Sequence, residues 1–382
     1  NNIYNNNGWG VQLTDKTSTD AVTSKVCAYI NNKPVVSTSH MFADSKATNL
    51  DLSNFDTKNV TDMSYMFNST QATSINISNF DTSKVTNMVA MFAKSQATTL
   101  DLSSFDTSNV TNMRYMFSQS KATTIDVSNF DTSNVTNMGR MFFNSVATIL
   151  DVSKFNTSKV TDMSGMFSST QATILDVSNF DTSNVTSMDS MFSNSVAITI
   201  DVSNFDTSKV TGMGYMFYNT KATTLNVSNF NTSNVINMDG MFRNATSTII
   251  DVSNFDTSKV TNMATMFSNT AATTLNVSKF DTSNVTTMLQ MFYKTQATTL
   301  DLSNFNTSKV TNMSGMFYMP KLTTIYASNK FVTTNVTNDS SMFANCYYLV
   351  GGNGTKYNSS YVDKTYARVD GGTSSPGYFT RK

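Results

Sequence analysis

From Met41 onward, apolar and polar positions recur with a fixed period of 25 residues, without insertion or deletion, through eleven units, and a divergent twelfth unit begins at Met316. Self-similarity of this length marks a solenoid, in which one supersecondary unit stacks on the next. In the unit Met91 to Tyr115, the run Thr99-Leu100-Asp101-Leu102-Ser103 alternates with the period of a half-buried strand, Leu100 and Leu102 pointing inward. Phe105 returns to the core, and Asp106-Thr107-Ser108-Asn109 is a polar turn cluster. Thr111 then reads as an N-cap, and Met113, Met116 and Phe117 follow at i, i+3, i+4 spacing, which predicts one or two helical turns. A helix that short holds only by packing against a neighbouring coil.

Met91, Phe92, Ala97, Leu100, Leu102, Phe105, Val110 and Met113 form the expected core of this unit. Burying a large apolar side chain contributes roughly 1.5 to 3 kcal/mol, and ordering each residue costs about 1 to 2 kcal/mol. The two nearly cancel within one unit, so stacking must supply the margin. The expected fold is therefore an α/β solenoid, leucine-rich-repeat-like, with one short parallel β-strand plus a short helical turn per coil. Residues 1–40 and 342–382 fall outside the period and read as N- and C-terminal caps on a repeat region spanning 41–341.

Composition narrows the function classes. The 26 Lys and Arg are balanced by 26 acidic residues, all of them Asp, which argues against electrostatic capture of nucleic acid or of an anionic membrane. No apolar run reaches the length of a membrane-spanning helix, so direct membrane insertion is not expected. The chain begins at Asn1 and shows neither signal peptide nor anchor, as expected of a mature or excised segment. Cys27 and Cys346 lie in opposite caps, and coils stacked about 4.8 Å apart would hold them far beyond bridging distance.

The pattern Ala97-x-x-Leu100-x-Leu102 matches the strand signature of a leucine-rich repeat with Ala in the first leucine position. The whole unit resembles the 25-residue repeats of BspA-like bacterial surface proteins, the DUF285 type of leucine-rich repeat. The end piece, with Leu349-Val350-Gly351-Gly352-Asn353-Gly354-Thr355 and Tyr366-Ala367-Arg368-Val369-Asp370-Gly371-Gly372, is similar to the module that commonly closes such arrays. This chain departs from that pattern in carrying Ser45, Thr70 and Ser95 where relatives carry Cys, and Ala47, Ala72 and Ala97 where they carry Leu. The resemblance implies a surface-displayed or secreted bacterial adhesin or interaction scaffold, with host or extracellular proteins, mucin or other glycans as partners. The alternative is a structural spacer that projects another domain. Ice binding along the Thr98, Thr123, Thr148 and Thr173 column is a further alternative.

Stacking turns each repeat position into a column. The outward strand position carries Asp101, Asp126, Asp151, Asp176 and Asp201 in succession, a ladder that suggests Ca²⁺ or glycan contacts, against the plainer reading that nearby hydroxyls and solvent absorb the charge. A second Asp column runs through the DTS turns, with Lys84, Lys159, Lys209, Lys259 and Lys309 three residues beyond it, and solvated turn pairing is expected there. The Met column is expected to be core rather than a soft-metal stripe. The copies differ most around the Met-Phe pair, at Arg114, Tyr115, Arg140, Phe143, Tyr215, Tyr218, Arg243, Tyr293 and Tyr318. Exposed Tyr and Arg are the usual anchors of recognition, so these residues are the candidate ligand contacts. No nucleophile with a nearby His base, metal-spaced Cys or His cluster, or phosphate-cradling loop is present, and no enzyme activity is expected.

Overall fold

In the computed structural model, which describes residues 2–4, 7–23 and 25–382, the 25-residue period becomes a stack of coils. The chain divides into two compact units, the first running to Val185 and including Ser195–Ala197, the second taking Thr186–Asn194 and Ile198–Lys382. Within each unit one parallel ladder runs from coil to coil through the Val-Thr-Asn-Met segment. Its pairs are Ser37 with Asp62, then Asn87, Asn112, Asn137 and Asp162 in the first unit; in the second they run from Ser187 and Gly212 through Asn237, Asn262, Thr287 and Asn312 to Asn338. The Thr111 N–H donates back to the Thr86 carbonyl and the Met113 N–H forward to the Asn137 carbonyl, so each coil is bonded on both faces.

The expected strand position behaves differently. Regular pairing there joins β5 (Asn49–Asp51) to β6 (Ser74–Asn76) and β7 (Thr299–Leu302) to β8 (Thr324–Ala327). Between them only single bridges remain, Thr99 with Thr124 and Thr199 with Thr224. The regular pairs are those in which the outward carboxylate meets a partner: Asn76 donates to Asp51 at 2.9 Å, and Lys382 pairs with Asp301.

No α-helix forms among the described residues, which corrects the expected helical turn. The reason is backbone handedness. Tyr115 (φ 59°) and Gln119 (φ 57°) both lie in the left-handed region, and the same two positions repeat in Arg140 and Asn144, and in Tyr215 and Asn219. A left-handed residue every fourth position cannot sustain a right-handed helix. The N–H groups instead alternate: Met116, Ser118 and Ser120 bond three residues back, while Tyr115, Phe117 and Gln119 donate to Gly139, Met141 and Phe143 of the next coil. Successive tight turns still carry Met113, Met116 and Phe117 inward, and all three are fully buried.

All eight expected core positions of the Met91 unit are buried. Phe42, Phe67, Phe92, Phe117, Phe142 and Phe167 stack through the first unit with centroids 5.3–5.9 Å apart, and a second stack runs from Phe192 to Phe343 in the second. The interior also holds a polar column, Thr57, Thr82, Thr107 and onward, buried because each hydroxyl bonds the backbone of the next coil.

At the N-terminal end, β1 (Asn2–Tyr4), β2 (Gly8–Gly10), β3 (Tyr29–Ile30) and β4 (Lys33–Ser37) form a sheet ordered β1-β2-β4-β3. At the other end β9 (Phe379–Arg381) pairs in parallel with β8. Asp370 organises this end: its carboxylate accepts the N–H groups of Asn353, Thr355 and Gly372 and the Thr355 hydroxyl. Both cysteines are free thiols; burial pushes that of Cys346 up to about 12.

Candidate functional site

The left-handed turn positions decide where the variable side chains go. In the first unit Tyr65, Ala90, Lys94, Tyr115, Gln119 and Arg140 all occupy them, and together with Phe143 they line an open groove of about 250 Å³. The structure thus brings four of the expected anchors into one patch. The Arg114 guanidinium lies 4.8 Å from the Tyr115 ring centre, and Arg140 lies 5.7 Å from the same ring and 5.6 Å from that of Phe143. Both arginines donate to the Tyr115 hydroxyl at 3.4 Å. Arg114 and Arg140 are exposed, while Tyr115 and Phe143 are half-buried. Planar guanidinium groups resting on aromatic faces keep their outer N–H groups available in a fixed orientation.

Glycine placement supports this arrangement. Gly165 sits at the same turn position one coil beyond Arg140, with φ +59°, and a Cβ there would stand 3.0 Å from the Arg140 Cγ. A larger residue would require the Arg140 stem to shift by a few tenths of an ångström. Asp162, beneath Gly139, is occupied by the Ser164 N–H and the Asn137 amide.

The remaining anchors form two separate groups in the second unit. Tyr215 donates its hydroxyl to Asp239 at 2.9 Å, Thr265 donates to the other oxygen of Asp239 at 3.0 Å, and Tyr218 packs edge-on against Tyr215 under Arg243. Burial, reinforced by Asp239, raises the Tyr215 hydroxyl above the ordinary tyrosine range. Tyr293 and Tyr318 lie with ring centres 4.7 Å apart, and Lys294 stands over both. Sequence reasoning missed Tyr65, Lys94, Asp239, Thr265 and Gly165. The legible signal was the pair of Gly- and Asn-rich positions four residues apart in each unit, which marks left-handed backbone.

The Asp ladder is largely self-satisfied. Asp101, Asp126, Asp151 and Asp176 are exposed in the first unit, as is Asp201 in the second, and each accepts the N–H of the serine two residues on at 3.0–3.1 Å. The serine hydroxyls and N–H groups hold Asp101, Asp126, Asp151 and Asp201 below the usual carboxylate range, although Asp126 pushes Asp151 up. Each coil brings a single carboxylate to this face, and among the described residues no three His, Cys or Asp side chains gather as a metal would require. In the DTS column the lysines reach Asn rather than Asp: Lys84 donates to Asn59, Lys159 to Asn134, Lys259 to Asn234 and Lys309 to Asn284, at 2.6–3.0 Å. Lys therefore follows a coil that carries Asn at this position.

Comparison with known families decides the affiliation. Three consecutive segments, 36–150, 141–252 and 241–357, match the family described as Mycoplasma protein of unknown function, DUF285. The chain belongs to the DUF285 family. The three matches overlap at their ends and follow one another through the region of coils, so this DUF285 chain is an array of the family's repeat rather than one copy joined to something else. No match was found among curated proteins or among solved structures.

Proposed function

We propose that this DUF285 protein is a BspA-like bacterial cell-surface or secreted adhesin, an interaction scaffold that binds extracellular proteins or glycans through its repeated face. The observation that carries this reading is the convergence of Arg114, Tyr115, Arg140 and Phe143 on one exposed patch. Repeat units whose core positions scarcely vary concentrate their variation here, and Tyr and Arg are the side chains that contribute most at recognition surfaces. Shallow contacts at fixed intervals gain affinity by avidity when the partner is itself repetitive.

Binding of the purified chain to immobilised mucin, matrix proteins and a panel of glycans tests the proposal, with and without a chelator to examine the Asp101–Asp201 ladder. Saturable binding that weakens in a Tyr115→Ala, Arg140→Ala double variant supports it. A folded chain that binds nothing across the panel removes it in favour of a spacer. The spacer reading has support in the second unit, where Tyr215, Asp239 and Thr265 spend their polar groups on one another.

A further inference from the structure

The protein as a whole is neutral, yet Lys94, Arg114 and Arg140 meet around one groove, and among the described residues none of the three is paired with a carboxylate. Asp162, the nearby acid beneath Gly139, is turned to Ser164 and Asn137. Three cations gathered around one groove, two of them held on aromatic rings, call for an anionic ligand.

The backbone narrows the ligand further. Along this face the N–H groups of Tyr115, Phe117 and Gln119 are donated to carbonyls of the following coil, and those of Met116 and Ser118 close local turns. An extended peptide therefore finds no free strand edge to pair with, which is the usual source of its affinity. Recognition must run through side chains alone. We infer that the Tyr65–Lys94–Tyr115–Arg140 groove, with Arg114 and Phe143 at its margin, binds an acidic oligosaccharide. Its carboxylate or sulfate groups engage Arg114, Arg140 and Lys94, while its sugar rings lie along the groove that Tyr65, Gln119 and Phe143 line. This rests on the adhesin reading and specifies the ligand class for it.

Arg140 is held for this task by its position. It leaves a left-handed turn (φ 55°), crosses Gly165 and lies against Tyr115 and Phe143. Gly165→Asn keeps a residue tolerant of left-handed backbone but places a Cβ against the Arg140 stem, so it shifts that side chain without removing a charge.

The experiment measures binding of the full chain to a hyaluronan oligosaccharide, which carries carboxylates only, to a chondroitin sulfate oligosaccharide, which adds sulfates, and to neutral dextran. Either acidic probe should bind and dextran should not, the stronger of the two naming the preferred anion. Arg114→Gln and Arg140→Gln should each weaken binding about tenfold. Lys279→Gln with Lys330→Gln, which removes two cations elsewhere, should leave it unchanged. Gly165→Asn should weaken binding less than Arg140→Gln does, because the charge is shifted rather than removed. Equal loss in the Lys279/Lys330 control, or equal affinity for poly-aspartate, would overturn the assignment to an acidic sugar. Binding to mucin or matrix proteins that persists in the Arg114 and Arg140 variants would overturn this groove while sparing the adhesin reading. A chain that binds no probe of any kind would remove both.

Discussion

The Thr82 hydroxyl holds both polar groups of Asp106 in the next coil, accepting its N–H at 2.8 Å and donating to its carbonyl at 2.8 Å. Thr57 does the same for Asp81, and Thr132 for Asn156. This explains the Thr of the DTS turn, which is an interior clamp between coils. The Asp before it serves a local role, its carboxylate accepting the N–H two residues on in Asp81 and Asp106.

Replacing Thr82 by Val keeps the shape and removes the clamp. Two backbone groups then lose their partner in a partly buried site, at about 1 to 3 kcal/mol each. Chemical denaturation of Thr82→Val should show a loss of about 3 kcal/mol. A loss below about 0.5 kcal/mol would show that water replaces the hydroxyl at no cost.

Turn handedness gives a prediction of the opposite sign. Ser169 occupies a left-handed position (φ 58°) where Asn144, Asn194, Asn219, Asn244 and Asn269 stand in other coils. Asn tolerates this backbone better, and side-chain amides bond from coil to coil in this column, Asn219 to Asn194 and Asn269 to Asn244. Ser169→Asn should stabilise the chain by about 0.5 to 1 kcal/mol, read as a shift in thermal midpoint.

Gly240 should resist substitution. It lies at φ +58°, and a Cβ there would fall 2.6 Å from the Tyr215 ring. Gly240→Ala combines a left-handed penalty with overpacking, for a cost of about 2 to 3 kcal/mol. It should also detach Tyr215 from Asp239, so the tyrosine's titration, followed by ultraviolet absorbance, should move down toward the ordinary value.

The C-terminal end should be acid-sensitive. Burial pushes the Asp370 carboxyl up, but the Thr355 hydroxyl and the N–H groups of Thr355, Gly372 and Asn353 outweigh it and bring the pKa to about 2. A depressed carboxylate contributes stability that is fully present above its unfolded value, near 3.8, and is lost as pH falls through about 2. Limited proteolysis after Val350 should therefore rise across that window in the wild type. Asp370→Asn should show raised cleavage already at neutral pH, with a stability loss on the order of 2 kcal/mol.

Deletion tests the register itself. Most inter-coil bonds join residues 24 to 26 apart, as in Thr111 to Thr86, Thr257 to Asp281 and Asn134 to Ser108. Removing 251–275 should leave a folded, shorter chain with a cooperative transition, whereas removing twelve residues from the same place should abolish cooperativity in the coils that follow. Circular dichroism melts separate the two outcomes.

The unit length and the identity of the buried positions were legible because both depend on hydrophobic periodicity. The conformation between Met113 and Ser120 was not. A spacing of i, i+3, i+4 is satisfied equally by a helix and by consecutive four-residue turns, and only the left-handed positions distinguish them. The Leu-Asp-Leu alternation drew attention to one face, while the continuous ladder runs through Asn87, Asn112 and Asn137, where Asn has low strand propensity and gives no signal. At the candidate site the variable positions identified Arg114, Tyr115, Arg140 and Phe143, but their meeting with Lys94 and Tyr65 depends on which columns the turns bring side by side.

Within each unit the threonine clamp reaches forward, from one coil to the one after it. At the last regular coil Thr307 meets Val332, one residue further along than elsewhere, so the irregular end accepts the same hand-hold. Within each unit a coil thus carries the plug for its successor and the socket for its predecessor. A duplicated segment of one period needs no new interface, and the number of coils can drift between generations while every contact stays the same in kind. Coil number is what this architecture leaves free for selection to adjust.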